Sequence, residues 1–337
     1  MRTILIFTVL NLVLNAQAVQ AGLEEGLEAF RRGDNLAALR EWRPLAEQGD
    51  ADACYRLGMM YLAGLGVPKD YKESLRFFRL AAEQGHPGAQ FSLGTMYDRG
   101  HGVLQDHKEE AKWYRLAAEQ GHATSQYNLG VMHYYGQAVP QDYREALKWY
   151  LLAAKQGYAS AQLSVGEMYH NGQGIPQDYK EALKWFQEAA EQGVANAQFR
   201  LGLMLTEGHG APQDFQQAAR WYLRAAEQGE SGAQVNYGNL YFNGKGVPQD
   251  YAVARKWFEQ AAAQGNALAW LKLGLMYENG LGVPQDYVQA HKAYNLSGAA
   301  GETMAPNRRD SLAKQMTPSQ IAEAQRLARD WTAEKNR

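Results

Sequence analysis

The residues of this chain that could do chemistry are eight histidines, one cysteine and a series of loop aspartates. His86 and His122 lie 36 residues apart, and His101 and His209 fall in loops three repeating units apart. None has the i, i+4 spacing with an intervening glutamate that builds a zinc site on one helix. His133 stands where most equivalent segments carry tyrosine, and no partner motif surrounds it, so it reads as a packed aromatic with a polar edge and not as a base or ligand. Aspartates close the Pro-Gln-Asp triplets at 140–142, 176–178, 212–214, 248–250 and 284–286, and Pro-Lys-Asp at 68–70. Each precedes a helical pattern, where a carboxylate caps free amides. Nothing sets two of them apart as an acid–base pair. Cys54 cannot form an internal disulfide, and no basic or histidine-rich setting would lower its pKa, so it reads as a small apolar residue. The expectation is a non-enzymatic protein with no catalytic residue, no metal and no cofactor.

The elements that would hold these residues follow a fixed beat. Gly49, Gly85, Gly121, Gly157, Gly193, Gly229, Gly265 and Gly301 recur every 36 residues without slippage. A second series, Gly58 to Gly274, keeps the same period. A fixed period of this length marks stacked supersecondary units. The unit at 158–193 contains two helical patterns. Ala161, Val165, Met168, Tyr169 and Gly172 form one stripe of the first helix. Gly166 sits inside that helix, where glycine costs about 1 kcal/mol against alanine, so its recurrence implies close approach of the paired helix. Gly172-Gln173-Gly174-Ile175-Pro176 turns the chain, and Asp178 caps the second helix with Glu181 at its third position. Ala182, Trp185, Phe186, Ala189 and Ala190 form the second inward stripe, and Gly193 ends it in the left-handed region.

The pattern AxxxLGxMYxxGxGVPQDYxxAxxWYxxAAxQG, about 36 residues long, resembles the Sel1-like repeat, a relative of the tetratricopeptide repeat with a longer inter-helix loop. The resemblance implies an all-α fold, a right-handed α/α solenoid of about seven 36-residue helix pairs at 50–85, 86–121, 122–157, 158–193, 194–229, 230–265 and 266–301. Residues 22–49 and 302–337 read as terminal caps, the latter opening on Thr317-Pro318-Ser319-Gln320. The resemblance also implies an adaptor or scaffold role in cell-envelope function or signalling, with a protein or peptide as partner. A secreted host-interaction protein is the first alternative. The second is a β-lactam or cell-wall hydrolase, after the cysteine-rich Helicobacter branch, whose repeats each carry a cysteine pair that this chain lacks.

Positions that change from repeat to repeat are free of packing duty. On the first helices they share one face, which the family resemblance places on the concave side. Its middle is rich in asparagine, a side chain that both donates and accepts hydrogen bonds and can grip an extended peptide. The candidate partner-binding residues are Asn128, Tyr135, Glu167, Asn171, Arg200, Asn236, Asn239 and Asn243. A solvated helix face with no ligand is the alternative.

Arg2, the apolar run Ile4–Leu14 and the small residues of Ala16-Gln17-Ala18 and Val19-Gln20-Ala21 form the pattern of a Sec-type signal peptide over residues 1–21, cut after Ala18 or Ala21. The expected location is periplasmic or extracellular in a bacterium, with no membrane span after cleavage. A net charge of −2 and the absence of a long Lys/Arg block argue against nucleic acid as a partner.

Overall fold

A computed structural model describes the backbone of residues 2–335 and the side chains of residues 17–335. The side chains of most of the expected signal peptide lie outside the described residues. The described chain is all-α, of the α/α solenoid class: eighteen helices and no strand among the described residues. It divides into two compact units, Met1–Val165 with Gln173–Ile175, and Gly166–Gly172 with Pro176–Arg337.

The first unit opens with α1 (Arg2–Arg31) and α2 (Asn35–Glu47). Helix pairs follow: α3 (Ala51–Ala63) with α4 (Tyr71–Glu83), α5 (Pro87–Arg99) with α6 (His107–Glu119), and α7 (Ala123–Tyr135) with α8 (Tyr143–Lys155). α9 (Ala159–Asn171) is shared between the units. The second unit continues with α10 (Tyr179–Glu191), α11 (Ala195–Glu207), α12 (Phe215–Glu227), α13 (Ser231–Asn243), α14 (Tyr251–Ala263), α15 (Ala267–Asn279) and α16 (Tyr287–Ala299). It closes on α17 (Ala305–Ala313) and α18 (Pro318–Lys335). No helix among the described residues is long and apolar enough to cross a membrane.

Local chemistry explains the boundaries. Each second helix from α4 to α16 begins at an aspartate whose carboxylate accepts from backbone amides of the first turn; Asp178 accepts from Lys180 N and Glu181 N at 2.9 and 3.1 Å. Such a cap stabilises by about 1 kcal/mol. His86 and His122 do the same for α5 and α7, each imidazole Nδ1 accepting from the amide three residues on. At α18 the box closes in both directions: Thr317 Oγ1 accepts from Gln320 N, and Gln320 Oε1 accepts from Thr317 N.

The mid-helix glycines have a steric cause. A Cβ on Gly166 would meet the ring of Phe186 at 2.6 Å, and the equivalent glycines in the other repeats meet an aromatic ring of their paired second helix. The ring therefore lies directly on the first-helix backbone, and the two helices pack at a separation that no side chain permits. Ala161 and Val165 are buried in the first unit, and Met168, Ala182, Trp185, Phe186, Ala189 and Ala190 are buried in the second.

Successive repeats are joined by a glutamine ladder. Gln90, 4% exposed, donates to Ala82 O and accepts from Gln120 Nε2 at 2.8 Å. Gln126 and Gln156 repeat the arrangement in the first unit, and Gln198 with Gln228 and Gln234 with Gln264 repeat it in the second. A buried amide needs such partners, because leaving it unbonded costs about 1–3 kcal/mol. At the ends the ladder changes residue: Cys54 takes the glutamine position near the N-terminus and Trp270 takes it near the C-terminus. Cys54 is fully buried, its Sγ lies 3.5 Å from Ala46 O, and burial pushes the thiol pKa up, which suits packing and not nucleophilic chemistry.

Candidate functional site

The first helices present a half-buried face of changing residues. In the first unit, Asn128 is half-buried and hydrogen-bonded with the Tyr114 hydroxyl. Tyr135 is 65% exposed, edge-on to Tyr134 at 4.9 Å. In the second unit, Glu167 and Arg200 bind each other across adjacent repeats, with Nη2 to Oε1 at 3.2 Å. Asn171, exposed at the tip of α9, has its Oδ1 3.0 Å from His170 Nδ1. Within neither unit do these residues form one site.

Asn236, Asn239 and Asn243 do. They converge from α13 on a cavity of about 340 Å³, joined by Thr206 of α11, Tyr222 of α12, Lys245 of the following loop and Lys272 of α15. Leu203 and Leu240 complete the lining, and none of the lining side chains is acidic. The Tyr222 hydroxyl sits 3.0 Å from Thr206 Oγ1 and bonds Asn236; burial pushes its pKa up to about 12. Asn243 donates to Asn239 O at 2.8 Å. Asn239 Oδ1 is buried without a hydrogen-bond partner. Lys272 lies 5.8 Å over the Phe242 ring, and Lys245 lies 5.3 Å over Phe215. Burial lowers the Lys272 pKa. The cavity thus combines two cations, amide donors and acceptors, and an apolar floor.

Lys272 belongs to the changing face, where the equivalent positions hold Arg56, Ser92, Asn128, Ser164, Arg200 and Asn236. Its signal in the sequence was its charge at a position otherwise mostly neutral. Lys245 lies in the Gly-x-Gly loop, outside the helical face, and the spacing along a helix could not find it.

A second polar cluster lies in the first unit. Ligating atoms of Asp98, His107 and Glu110 lie within 4.8 Å of one another, the one such group among the described residues. Two carboxylates and an imidazole could hold a divalent cation. As it stands, His107 Nδ1 is 2.7 Å from Glu110 Oε2 and 4.0 Å from Asp98 Oδ1. The hydrogen bond to Glu110 raises the His107 pKa, while burial raises that of Glu110. Elsewhere the Glu110 position holds Ser74 or alanine, and the His107 position holds tyrosine or phenylalanine. His101 and His209 stack on Tyr71 and Tyr179 at 4.3 and 4.4 Å, a packing role. His133 is buried, with neither ring nitrogen bonded.

The Sel1 repeat family model matches residues 51–86, 87–122, 123–158, 159–194, 195–230, 231–266 and 267–301. Among solved structures, a Sel1 repeat protein from Oxalobacter formigenes is 31% identical, covers 71% of this chain and 96% of its own, and superposes with a TM-score of 0.63. A protective antigen of uropathogenic Escherichia coli strains, described as displaying an SLR fold, is 29% identical over 95% of this chain and 93% of its own, with a TM-score of 0.45. A putative sel1 repeat protein from Klebsiella pneumoniae is 23% identical over 60% and 99%, with a TM-score of 0.39. No curated protein matches the sequence. The seven matched repeats and their helix-pair geometry make this chain a member of the Sel1 repeat family.

Proposed function

We propose that this chain is an exported, non-enzymatic scaffold that binds a protein or peptide partner through the first-helix face of its second unit. The observation that carries the reading is the cavity where Asn236, Asn239 and Asn243 meet Lys245 and Lys272. Sel1 solenoids are interaction scaffolds, and repeat proteins commonly bind partners on the surface that their stacked helices share. Asparagine amides suit this task because each offers donors and an acceptor to a peptide backbone.

Export rests on the N-terminal pattern. Val19 packs against the core cluster that includes Trp42 and Leu45, so a cut after Ala18 keeps a contact that a cut after Ala21 removes. Sequencing the mature N-terminus from cells should find Val19 or Gly22 first; a retained Met1 would refute export. Partner binding is tested by capture from envelope extract with wild type and the Asn236→Asp/Asn239→Asp variant. Selective loss of a partner is expected. Equal recovery of every partner removes the assignment of this face.

A further inference from the structure

Several basic side chains of the repeats are neutralised by a carboxylate within the fold. Lys112, Lys148 and Lys184 pair with Glu109, Glu145 and Glu181, and Arg200 pairs with Glu167. Lys245 and Lys272 differ. Each ammonium lies over an aromatic ring, and neither has a carboxylate among the residues lining the cavity it faces. A ring face orients a cation without cancelling its charge. In a protein of net charge −2, two lysines thereby stand without a carboxylate in the cavity beside the exposed amide of Asn243, whose Nδ2 is committed to Asn239 O, leaving its Oδ1 toward the cavity. That oxygen accepts, while the lysines donate. A matching ligand offers anionic oxygens and N–H groups together, which an acidic peptide does and a simple anion does not.

We infer that the cavity takes an acidic peptide segment, with Asp or Glu carboxylates against Lys272 and Lys245 and the peptide backbone against Asn243. This rests on the reading of the first-helix face as a peptide site and specifies its ligand. Charge complementarity in a half-buried cavity favours such a ligand twice. The carboxylate relieves the desolvated Lys272, and the lost hydration of the ligand is replaced by ammonium groups already oriented by Phe242 and Phe215.

The test uses the full chain against a display library of dodecapeptides with blocked termini, followed by fluorescence anisotropy of the enriched sequences. Enrichment of acidic peptides, with affinity reduced at least tenfold in Lys272→Gln/Lys245→Gln and an unchanged thermal melt, is the expected result. Enriched peptides without acidic bias that still depend on Asn243 would overturn the acidic ligand and leave the peptide face standing. No enrichment would overturn both. A neutral peptide that binds only through a free terminal carboxylate, or inorganic phosphate competing at equal affinity, would also overturn the assignment to acidic side chains.

Discussion

Two polar clusters built on the same repeat teach different lessons. At the start of α6, Asp98, His107 and Glu110 bring opposite charges together, and the buried carboxylate has its partner at 2.7 Å. Around α13, Lys245 and Lys272 meet amides and rings but no carboxylate. Both clusters depart from the residues that other repeats place there. The first departure closes on itself. The second has no carboxylate of its own in the cavity. The useful signal is therefore an unpaired departure from the repeat, not departure alone.

The largest effect should show that both clusters stand on one scaffold. A Cβ on Gly238 would meet Phe258 at 2.7 Å, and one on Gly94 would meet Tyr114 at 2.7 Å. Gly238→Val and Gly94→Val should each destabilise by about 3 kcal/mol in chemical denaturation. A large cost at only one of them would mean the two regions are not equivalent. Next, Lys272→Gln should leave the melting temperature unchanged or higher, since it removes a desolvated cation, while acidic-peptide affinity falls about tenfold, or about 1.4 kcal/mol. A destabilised variant with intact binding would invert the comparison.

Glu110→Ala installs the alanine that most other repeats carry and should stabilise by up to about 1 kcal/mol without changing peptide binding, because burying the Glu110 carboxylate costs more than its bond to the half-exposed His107 returns. It also carries a pH test. His107 and Glu110 both hold protons more tightly in the folded state. Their stabilisation is complete below the ordinary values of about 4.3 for glutamate and 6.5 for histidine, and it declines as pH rises through the raised folded values. Melting of the wild type relative to Glu110→Ala should therefore worsen from acid to alkaline pH; an opposite slope would show that the pair is not what sets it. The smallest effect belongs to the exposed pair Arg200–Glu167, where Glu167→Gln should cost no more than about 0.5 kcal/mol.

The fold was legible because one packing solution recurs. Gly166 and its counterparts reported the close aromatic contact, and Asp178 and its counterparts reported the helix starts, both short-range consequences of residue type. The glutamine ladder left a signal as well, since Gln90, Gln126, Gln198 and Gln234 recur at one repeat position, each after a small residue (Ala89, Ser125, Ala197 and Ala233), but its partners sit 30 residues away and spacing within one helix does not name them. The site was legible in part. Asn236, Asn239 and Asn243 lie on one helix, so their convergence follows from helical geometry. Glu167 and Arg200 share the same face, yet they engage each other across repeats. Periodicity says which way a side chain points, while the neighbouring repeat decides whether it is already occupied.

The ladder has a consequence for how such a chain changes length. Within each unit, one repeat hands the next the same amide, at nearly the same distance, whatever its variable face carries. The junction is interchangeable like a standard coupling, so a gene can gain or lose a 36-residue module by recombination without posing a new packing problem. The residues that mark the limits of this modularity are the two that do not fit the coupling, Cys54 and Trp270, and they make each end of the array unlike its middle. Growth and loss are thereby directed to the interior, where a new module brings a new variable face and leaves both terminal helix pairs intact.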